Sequence, residues 1–237
     1  MIYENIKSVI FDLDDTLLDR RSTFERYCDY IIGTLLFDDA FGAGGPCGAG
    51  DVKMQERAVA IKEYMVVNDR RGYESRETLY TNTINKFGLS CRADFMVENW
   101  QTNFDKYAVP EPNLFATLDY LSKKYRLGII TNGGASMQNR KIDALGIRGY
   151  FNSIIISGEA GVEKPDAAIF RMSCEELGAD APSSVYVGDY YPNDVAGAVN
   201  AGLRAIWMAK LSAYLPSEYA EPYEPKIYNL SDLVNIL

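Results

Sequence analysis

Short apolar segments recur along this chain, and sequences with helical periodicity separate them. The apolar segments are Ser8–Phe11, Arg126–Ile130, Asn152–Ser157, Ser184–Val187 and Arg204–Trp207. Strands that alternate with helices favour right-handed crossovers and therefore a mostly parallel sheet. The pattern predicts an α/β fold, in which Gly146 and Gly178 mark the ends of two helices.

One section of the chain interrupts this alternation. Between the first and second apolar segments the sequence holds only helical patterns, beginning with a candidate N-cap at Ser22. We therefore predict an all-helical domain at residues 20–107, inserted into an α/β core formed by residues 1–19 and 108–237. Within the insertion, Phe41–Asp51 is rich in glycine. It lacks the preceding strand and the spacing of a phosphate-binding loop, so it is interpreted as a helix–helix connection.

The ionisable residues exclude several classes of function. The chain of 237 residues has a net charge of −9 and contains no histidine. The negative charge argues against a nucleic-acid polymer as partner, because such binding depends on clustered lysine and arginine. The absence of histidine excludes Ser-His-Asp and Cys-His catalysis, so carboxylates are the main candidates for acid–base chemistry.

The sequence also predicts a cytoplasmic protein without a membrane partner. No apolar run approaches the length of a membrane span, and the N-terminus lacks the features of a secretory signal. The cysteines at positions 28, 47, 91 and 174 form no C-x-x-C pair. They are interpreted as reduced thiols rather than as disulfides or a zinc site.

The first apolar segment runs directly into a cluster of acids. Asp12, Asp14 and Asp15 follow Phe11 in the sequence VIFDLDDTLLD. Two like charges about 4 Å apart, at an effective dielectric near 20, repel each other by roughly 4 kcal/mol. A bound cation would offset this repulsion, so the motif indicates a metal site.

Three further polar motifs follow later strands. They are Thr131-Asn132-Gly133 after the second strand, Lys164-Pro165 beyond the third, and Gly188-Asp189 with Asn193-Asp194 after the fourth. The carboxyl ends of parallel strands meet at one edge of a sheet, where ligands bind. Each motif alone also fits a turn, a cap or a surface residue. Their common position at strand ends favours a single shared site.

The same motifs resemble those of the haloacid dehalogenase-like hydrolase superfamily. FDLDDTL is similar to its nucleophile motif, ITNG to its threonine/serine motif, EKPDAAIF to its lysine motif and VGDYYPNDVAGAVNAG to its acidic motif. The resemblance covers residues 6–19 and 108–237 and implies a Rossmann-like core. The helical section is similar to the family's cap domain by position and helical character only.

The resemblance implies a phosphatase that works through an aspartyl phosphate. In that reaction Asp12 would attack phosphorus and Asp14 would act as general acid and base. Lys164 would stabilise the charge of the transferring group and hold Asp12 and Asp189 in place. The residues implied to bind the substrate phosphate are Thr131, Asn132 and Gly133.

A Mg²⁺ ion would offset the repulsion among the acids that follow the first strand. Mg²⁺ prefers oxygen ligands in near-octahedral geometry. The resemblance implies that the carboxylates of Asp12 and Asp189 and the backbone carbonyl of Asp14 bind it. Asp194 would bind it directly or through water.

Several activities stay open on the sequence alone. Dehalogenases and phosphonatases replace the second acid of the first motif, so Asp14 favours phosphoryl chemistry. A phosphotransferase such as a sugar-phosphate mutase and a non-catalytic phosphate-binding module are the alternatives to a phosphatase of small-molecule monoesters. The sequence does not indicate an oligomeric state. The candidates in the helical section for contact with a second anion are Arg20, Arg21, Arg70 and Arg71.

Overall fold

The computed structural model describes residues 3–42, 52–210 and 225–237. The chain divides into two compact units. The first, here called the core unit, comprises Met1–Asp19 and Val109–Leu237, and the second, the inserted unit, comprises Arg20–Ala108. Nearly all of the glycine-rich segment interpreted above as a connection lies outside the described residues.

Six parallel strands form the sheet of the core unit. They are β1 (Ser8–Phe11), β2 (Arg126–Thr131), β3 (Ser153–Ile156), β4 (Ser184–Gly188), β5 (Arg204–Met208) and β6 (Lys226–Ile227). Their order across the sheet is β3-β2-β1-β4-β5-β6, and each neighbouring pair is parallel. The five strands predicted from the sequence are confirmed. The two-residue β6 was not predicted, because so short a segment carries no periodicity.

The order of the strands reverses at β1. β2 and β3 lie on one side of β1, whereas β4, β5 and β6 lie on the other. Ligands of open parallel sheets bind beyond the carboxyl ends of the strands at such a reversal. Phe11 of β1 is in register with Val187 of β4, so the segments that follow these two strands begin side by side.

The described part of the inserted unit contains helices and no strand. They are α1 (Arg20–Gly42), α2 (Val52–Asn68), α3 (Arg76–Phe87) and α4 (Ala93–Asn103), with 3₁₀ turns at Arg70–Gly72 and Phe104–Tyr107. The N-cap predicted at Ser22 is wrong, because α1 begins at Arg20 and Ser22 lies within its first turn. An N-cap residue precedes the first helical residue, but Arg20 and Arg21 already belong to the helix, directly after Asp19, whose N–H donates to the Val109 carbonyl at 2.9 Å.

A buried ion-pair network joins the helices of the inserted unit. Asp69 accepts from Arg20 Nη1 at 2.5 Å and lies 2.6 Å from Arg76 Nη2. Gly72, at φ +89°, passes so close to Arg20 that an added Cβ would lie 2.7 Å from its Nη2. Arg20 is 7% exposed and engaged by Asp69, which contradicts its selection as a candidate for contact with a second anion.

The remaining helices belong to the core unit. They are α5 (Leu114–Leu121), α6 (Ala135–Ala144), α7 (Ser157–Ala160), α8 (Ala167–Glu176), α9 (Gly197–Asn200) and α10 (Leu233–Ile236). Gly146 and Gly178 have φ of +68° and +57°, the left-handed conformation predicted for residues that follow helix ends. Among the described residues, no helix has both the length and the apolar character of a membrane span.

Candidate active site

The two acids of the first motif lie in different surroundings. Asp12 directly follows β1, and its N–H continues the sheet pairing by donating to the Val187 carbonyl at 2.9 Å. The Asp12 side chain is 10% exposed, whereas that of Asp14 is 25% exposed. Leu13, between them, is fully buried. The two carboxylates therefore follow the same strand but lie in different surroundings.

Three carboxylates come together at the reversal of the sheet. Asp12, Asp189 and Asp194 each place an oxygen within 4.8 Å of the others, and all three residues are buried. Asp194 lies in a single π-helical turn at Pro192–Ala196, and its Oδ2 accepts from the Tyr190 N–H at 2.8 Å. Such a set of hard oxygen donors fits a small divalent cation.

Gly188, the last residue of β4, permits this arrangement. A Cβ at this position would lie 2.5 Å from the Cβ and Cγ atoms of Asp194. The close approach brings the π-helical turn back over the strand end. A glycine is therefore required here by the packing of Asp194, independently of any turn.

Lys164 lies among these acids. Its Nζ donates to Asp12 Oδ1 at 2.6 Å, to Asp194 Oδ1 at 2.7 Å and to the Tyr186 hydroxyl at 2.9 Å. The residue is 3% exposed, so its charge is balanced almost entirely by protein groups. The predicted contact of Lys164 with Asp12 is present in the structure. Its second carboxylate partner is Asp194, whereas the family resemblance implied Asp189.

Burial and charge shift the pKa values of this cluster in defined directions. Burial raises the pKa of Asp12 to about 7, although the Lys164 ammonium acts in the opposite direction. Burial acts to lower the pKa of Lys164, but the carboxylates of Asp12 and Asp194 outweigh it and hold that pKa well above the ordinary value. Lys164 is therefore a cation at neutral pH.

The loop after β2 contacts Lys164 through its backbone. Asn132 Oδ1 accepts from the Lys164 N–H, and Asn132 Nδ2 donates to the Lys164 carbonyl, both at 2.9 Å. The Gly133 N–H donates to Ser157 Oγ at 3.0 Å. The Asn132 side chain thus positions Lys164, and the Gly133 amide has a protein acceptor in this structure.

Sequence reasoning did not single out Tyr186, Gln138 or Lys141. The Tyr186 hydroxyl lies 3.1 Å from the Ile130 carbonyl, to which it donates, while it accepts from Lys164. Gln138 and Lys141, both on α6, donate to Asp14. Gln138 and Lys141 could have been noticed in the sequence, because they are two polar residues three positions apart on the helix that directly follows the Thr131 motif.

Known proteins are similar to this chain over most of its length. The sequence profile of the haloacid dehalogenase-like hydrolases matches residues 55–208. The chain is 32% identical over 204 residues to glyceraldehyde 3-phosphate phosphatase of Methanothermobacter thermautotrophicus, which covers 85% of this chain and 84% of that protein. It is 29% identical over 209 residues to N-acylneuraminate-9-phosphatase of Rattus norvegicus, at 86% and 83% coverage. The chain belongs to the haloacid dehalogenase-like hydrolase family.

The fold is also shared with solved structures. The HAD-hydrolase YfnB of Bacillus subtilis, solved bound to magnesium, matches with a TM-score of 0.64 at 21% identity and covers 99% of both chains. At this identity the likeness concerns the fold. It confirms the Rossmann-like α/β architecture expected from the resemblance.

Proposed function

We propose that this chain is a Mg²⁺-dependent phosphatase that hydrolyses a small-molecule phosphate monoester through an aspartyl phosphate on Asp12. The family and the phosphatases among the relatives support hydrolysis of a phosphoric monoester. The observation that carries the residue assignment is the buried contact of Lys164 with Asp12 and Asp194, next to Asp189. This contact supports the assignment, because the proposed nucleophile lies beside a buried cation and two further carboxylates that could bind a metal ion.

The reaction divides into two displacements at phosphorus. An oxygen of Asp12 attacks, the bond from phosphorus to the leaving oxygen breaks, and Asp14 gives that oxygen its proton. Asp14, now ionised, takes a proton from water as the water oxygen attacks the aspartyl phosphate. The bond from phosphorus to Asp12 then breaks, and its electron pair returns to the carboxylate.

The donor set fits the proposed ion. Asp12, Asp189 and Asp194 offer carboxylate oxygens, and the backbone carbonyl of Asp14 would complete the protein ligands, with Asp194 bound directly or through water. When bound, Mg²⁺ would neutralise charge between the acids and an anionic phosphate. Lys164 supplies a fixed positive charge at the same place.

The loop after β2 is proposed to bind the phosphate. Thr131 Oγ1 accepts from Gln138 Nε2 at 2.6 Å, and the hydroxyl still has a proton to donate. The amides of Asn132 and Gly133 would add donors, the latter after exchanging Ser157 for a phosphate oxygen. We further propose that the inserted unit is the cap of the family and that the enzyme is cytoplasmic.

The direct test uses p-nitrophenyl phosphate with the purified protein. We expect hydrolysis that requires added Mg²⁺ and stops with a chelator. Asp12→Asn should lower kcat by roughly 10⁴-fold or more, because the nucleophilic oxygen is lost. The exposed Asp143, replaced as Asp143→Asn, is the matched control and should retain wild-type activity.

Three outcomes would contradict the proposal. Full activity without metal would remove the ion from the reaction, and substantial turnover by Asp12→Asn would remove the nucleophile. Binding of inorganic phosphate without any turnover would identify a phosphate-binding module. Transfer of the phosphate to a second sugar phosphate in preference to water would identify a mutase.

A further inference from the structure

Two side chains of α6 hold the carboxylate of Asp14. Lys141 Nζ donates to Oδ1 at 2.9 Å and to Oδ2 at 2.8 Å, and Gln138 Nε2 donates to Oδ2 at 3.0 Å. Residues three apart lie on the same face of a helix, so both donors reach Asp14 from one side. These contacts restrict rotation of the Asp14 carboxylate.

Lys141 is buried where it makes this contact. The Lys141 side chain is 6% exposed, whereas that of its partner Asp14 is 25% exposed. A lysine on a surface helix ordinarily extends its ammonium into water. A buried ammonium is stable only when it is paired, and here the pair is with the proposed acid and base.

Gln138 links Asp14 to the proposed phosphate loop. Its Nε2 lies 2.6 Å from Thr131 Oγ1 and 3.3 Å from the Asn132 carbonyl, in addition to its contact with Asp14. Gly133, at φ +140°, leaves the space that this side chain needs, since an added Cβ would lie 3.1 Å from Gln138 Cδ. One buried amide therefore joins the acid to a phosphate ligand.

We propose that Lys141 and Gln138 form a clamp that positions Asp14 for proton transfer. The inference rests on the proposed function, in which Asp14 activates the water that hydrolyses the aspartyl phosphate. Both members of the clamp act through Asp14 and are positioning residues. A misplacement of about 1 Å in such a group slows a reaction by roughly 10²-fold.

Lys141→Met tests the clamp, since it keeps the length of the side chain and removes the cation. With p-nitrophenyl phosphate, whose leaving group needs no proton, phosphoenzyme should form nearly as in wild type. Release of phosphate should slow by about 10- to 100-fold. A burst of nitrophenol close to one equivalent per site would then precede slow turnover, as expected when a covalent intermediate accumulates.

The steady state offers a second readout. Slow hydrolysis of the phosphoenzyme lowers kcat and KM together and leaves kcat/KM nearly unchanged. A general structural defect reduces the amount of active enzyme, so kcat/KM falls with kcat while KM stays constant. Lys7→Met, on a side chain that is 67% exposed, is the matched control and should behave as wild type.

A double-mutant cycle separates this inference from the proposed function. If Lys141 acts through Asp14, adding Lys141→Met to Asp14→Asn should change phosphate release by no more than about twofold. Equal slowing in both backgrounds, or no slowing in the single variant, would overturn the clamp. Unimpaired turnover by Asp14→Asn alone would instead overturn the role of Asp14. If Lys141→Met does not fold, Lys141→Gln, which keeps a hydrogen-bond donor, enters the same cycle.

Discussion

Asp12 and Asp14 are separated by one residue, yet they are proposed to act as nucleophile and as general acid and base. Their surroundings differ accordingly. Asp12 is paired with the buried Lys164, whereas Asp14 keeps more solvent exposure and is held by Lys141. Burial favours a nucleophile that competes with water for phosphorus. Exposure favours a group that must exchange protons with its surroundings. The assignment of roles in the proposed function therefore agrees with the environment of each carboxylate.

The raised pKa of Asp12 predicts that Mg²⁺ affinity depends on pH. Because burial raises this pKa to about 7 in the metal-free protein, protons and metal compete for the carboxylate near neutral pH. The ionised fraction falls about tenfold for each pH unit below that value. We expect the Mg²⁺ dissociation constant to rise as the pH falls from about 8 to about 6, roughly one unit on either side of this pKa, and protons to be released on binding.

Isothermal titration calorimetry at several pH values measures both quantities. Asp12→Asn supplies the control, because its neutral amide neither titrates nor competes with protons in this range. An affinity that stays constant across the range, or binding without proton release, would show that Asp12 is not the group that titrates against the metal.

At the residue scale, the sequence predicted the charged residues that the structure brings together better than it predicted the residues that contact them. The acids and Lys164 could be predicted because their identity and their position at strand ends are visible in the chain. Tyr186 could not, since in the apolar sequence VYVG it is indistinguishable from a residue that only packs. Its partner Lys164 lies 22 positions earlier, in the loop before α8, and only the fold brings the two side chains together. The contacts of Gln138 and Lys141 with Asp14 likewise become visible only when the fold places α6 beside Asp14.

At the scale of elements, local sequence patterns predicted most of the strands of the core unit. The strands β1 to β5 were predictable because each is an apolar run long enough to stand out, and all residues of β1 are buried. The start of α1 was not predictable from capping chemistry, because the helix already includes Arg20 and Arg21, ahead of the candidate N-cap at Ser22. A favourable local motif therefore did not mark the N-terminal end of this helix.

Replacing Asp69 tests whether the buried ion-pair network stabilises the inserted unit. Burial alone would raise the pKa of Asp69, but the guanidiniums of Arg20 and Arg76 outweigh it and hold the pKa below the ordinary value. A carboxylate with a lowered folded-state pKa adds stability above its unfolded pKa, about 3.9, and loses it as pH falls through the folded value. Asp69→Asn should therefore lower the free energy of unfolding at pH 7, by ~3–5 kcal/mol.

Urea denaturation at neutral and acid pH measures this effect. The difference between wild type and Asp69→Asn should begin to shrink below about pH 4, where the carboxylate of the unfolded chain becomes protonated, and it should shrink further as the pH falls through the lower folded-state pKa. Asp94→Asn, which alters an exposed partner of Arg92, is the control and should change stability little. A loss for Asp69→Asn no greater than for Asp94→Asn would contradict the proposed contribution of the buried network.

At the scale of the whole molecule, the candidate site is built from distant parts of the chain. Asp12 and Lys164 are 152 positions apart, yet they are in contact within the core unit. The sequence predicted this convergence because parallel strands bring their carboxyl ends together. The identity of the substrate was not predictable, because no motif of the inserted unit specifies a leaving group. The relatives named above are phosphatases of two different compounds.

In the proposed reaction, the phosphoryl group is bound covalently to Asp12 before water releases it. Trapping this aspartyl phosphate is the most direct test. Enzyme turning over p-nitrophenyl phosphate with Mg²⁺ would be quenched in acid, digested, and its peptides examined by mass spectrometry. We expect phosphate on the Asp12 peptide of the wild type, more of it in Asp14→Asn, and none in Asp12→Asn. Turnover by the wild type with phosphate on another residue, or undiminished labelling in Asp12→Asn, would contradict it.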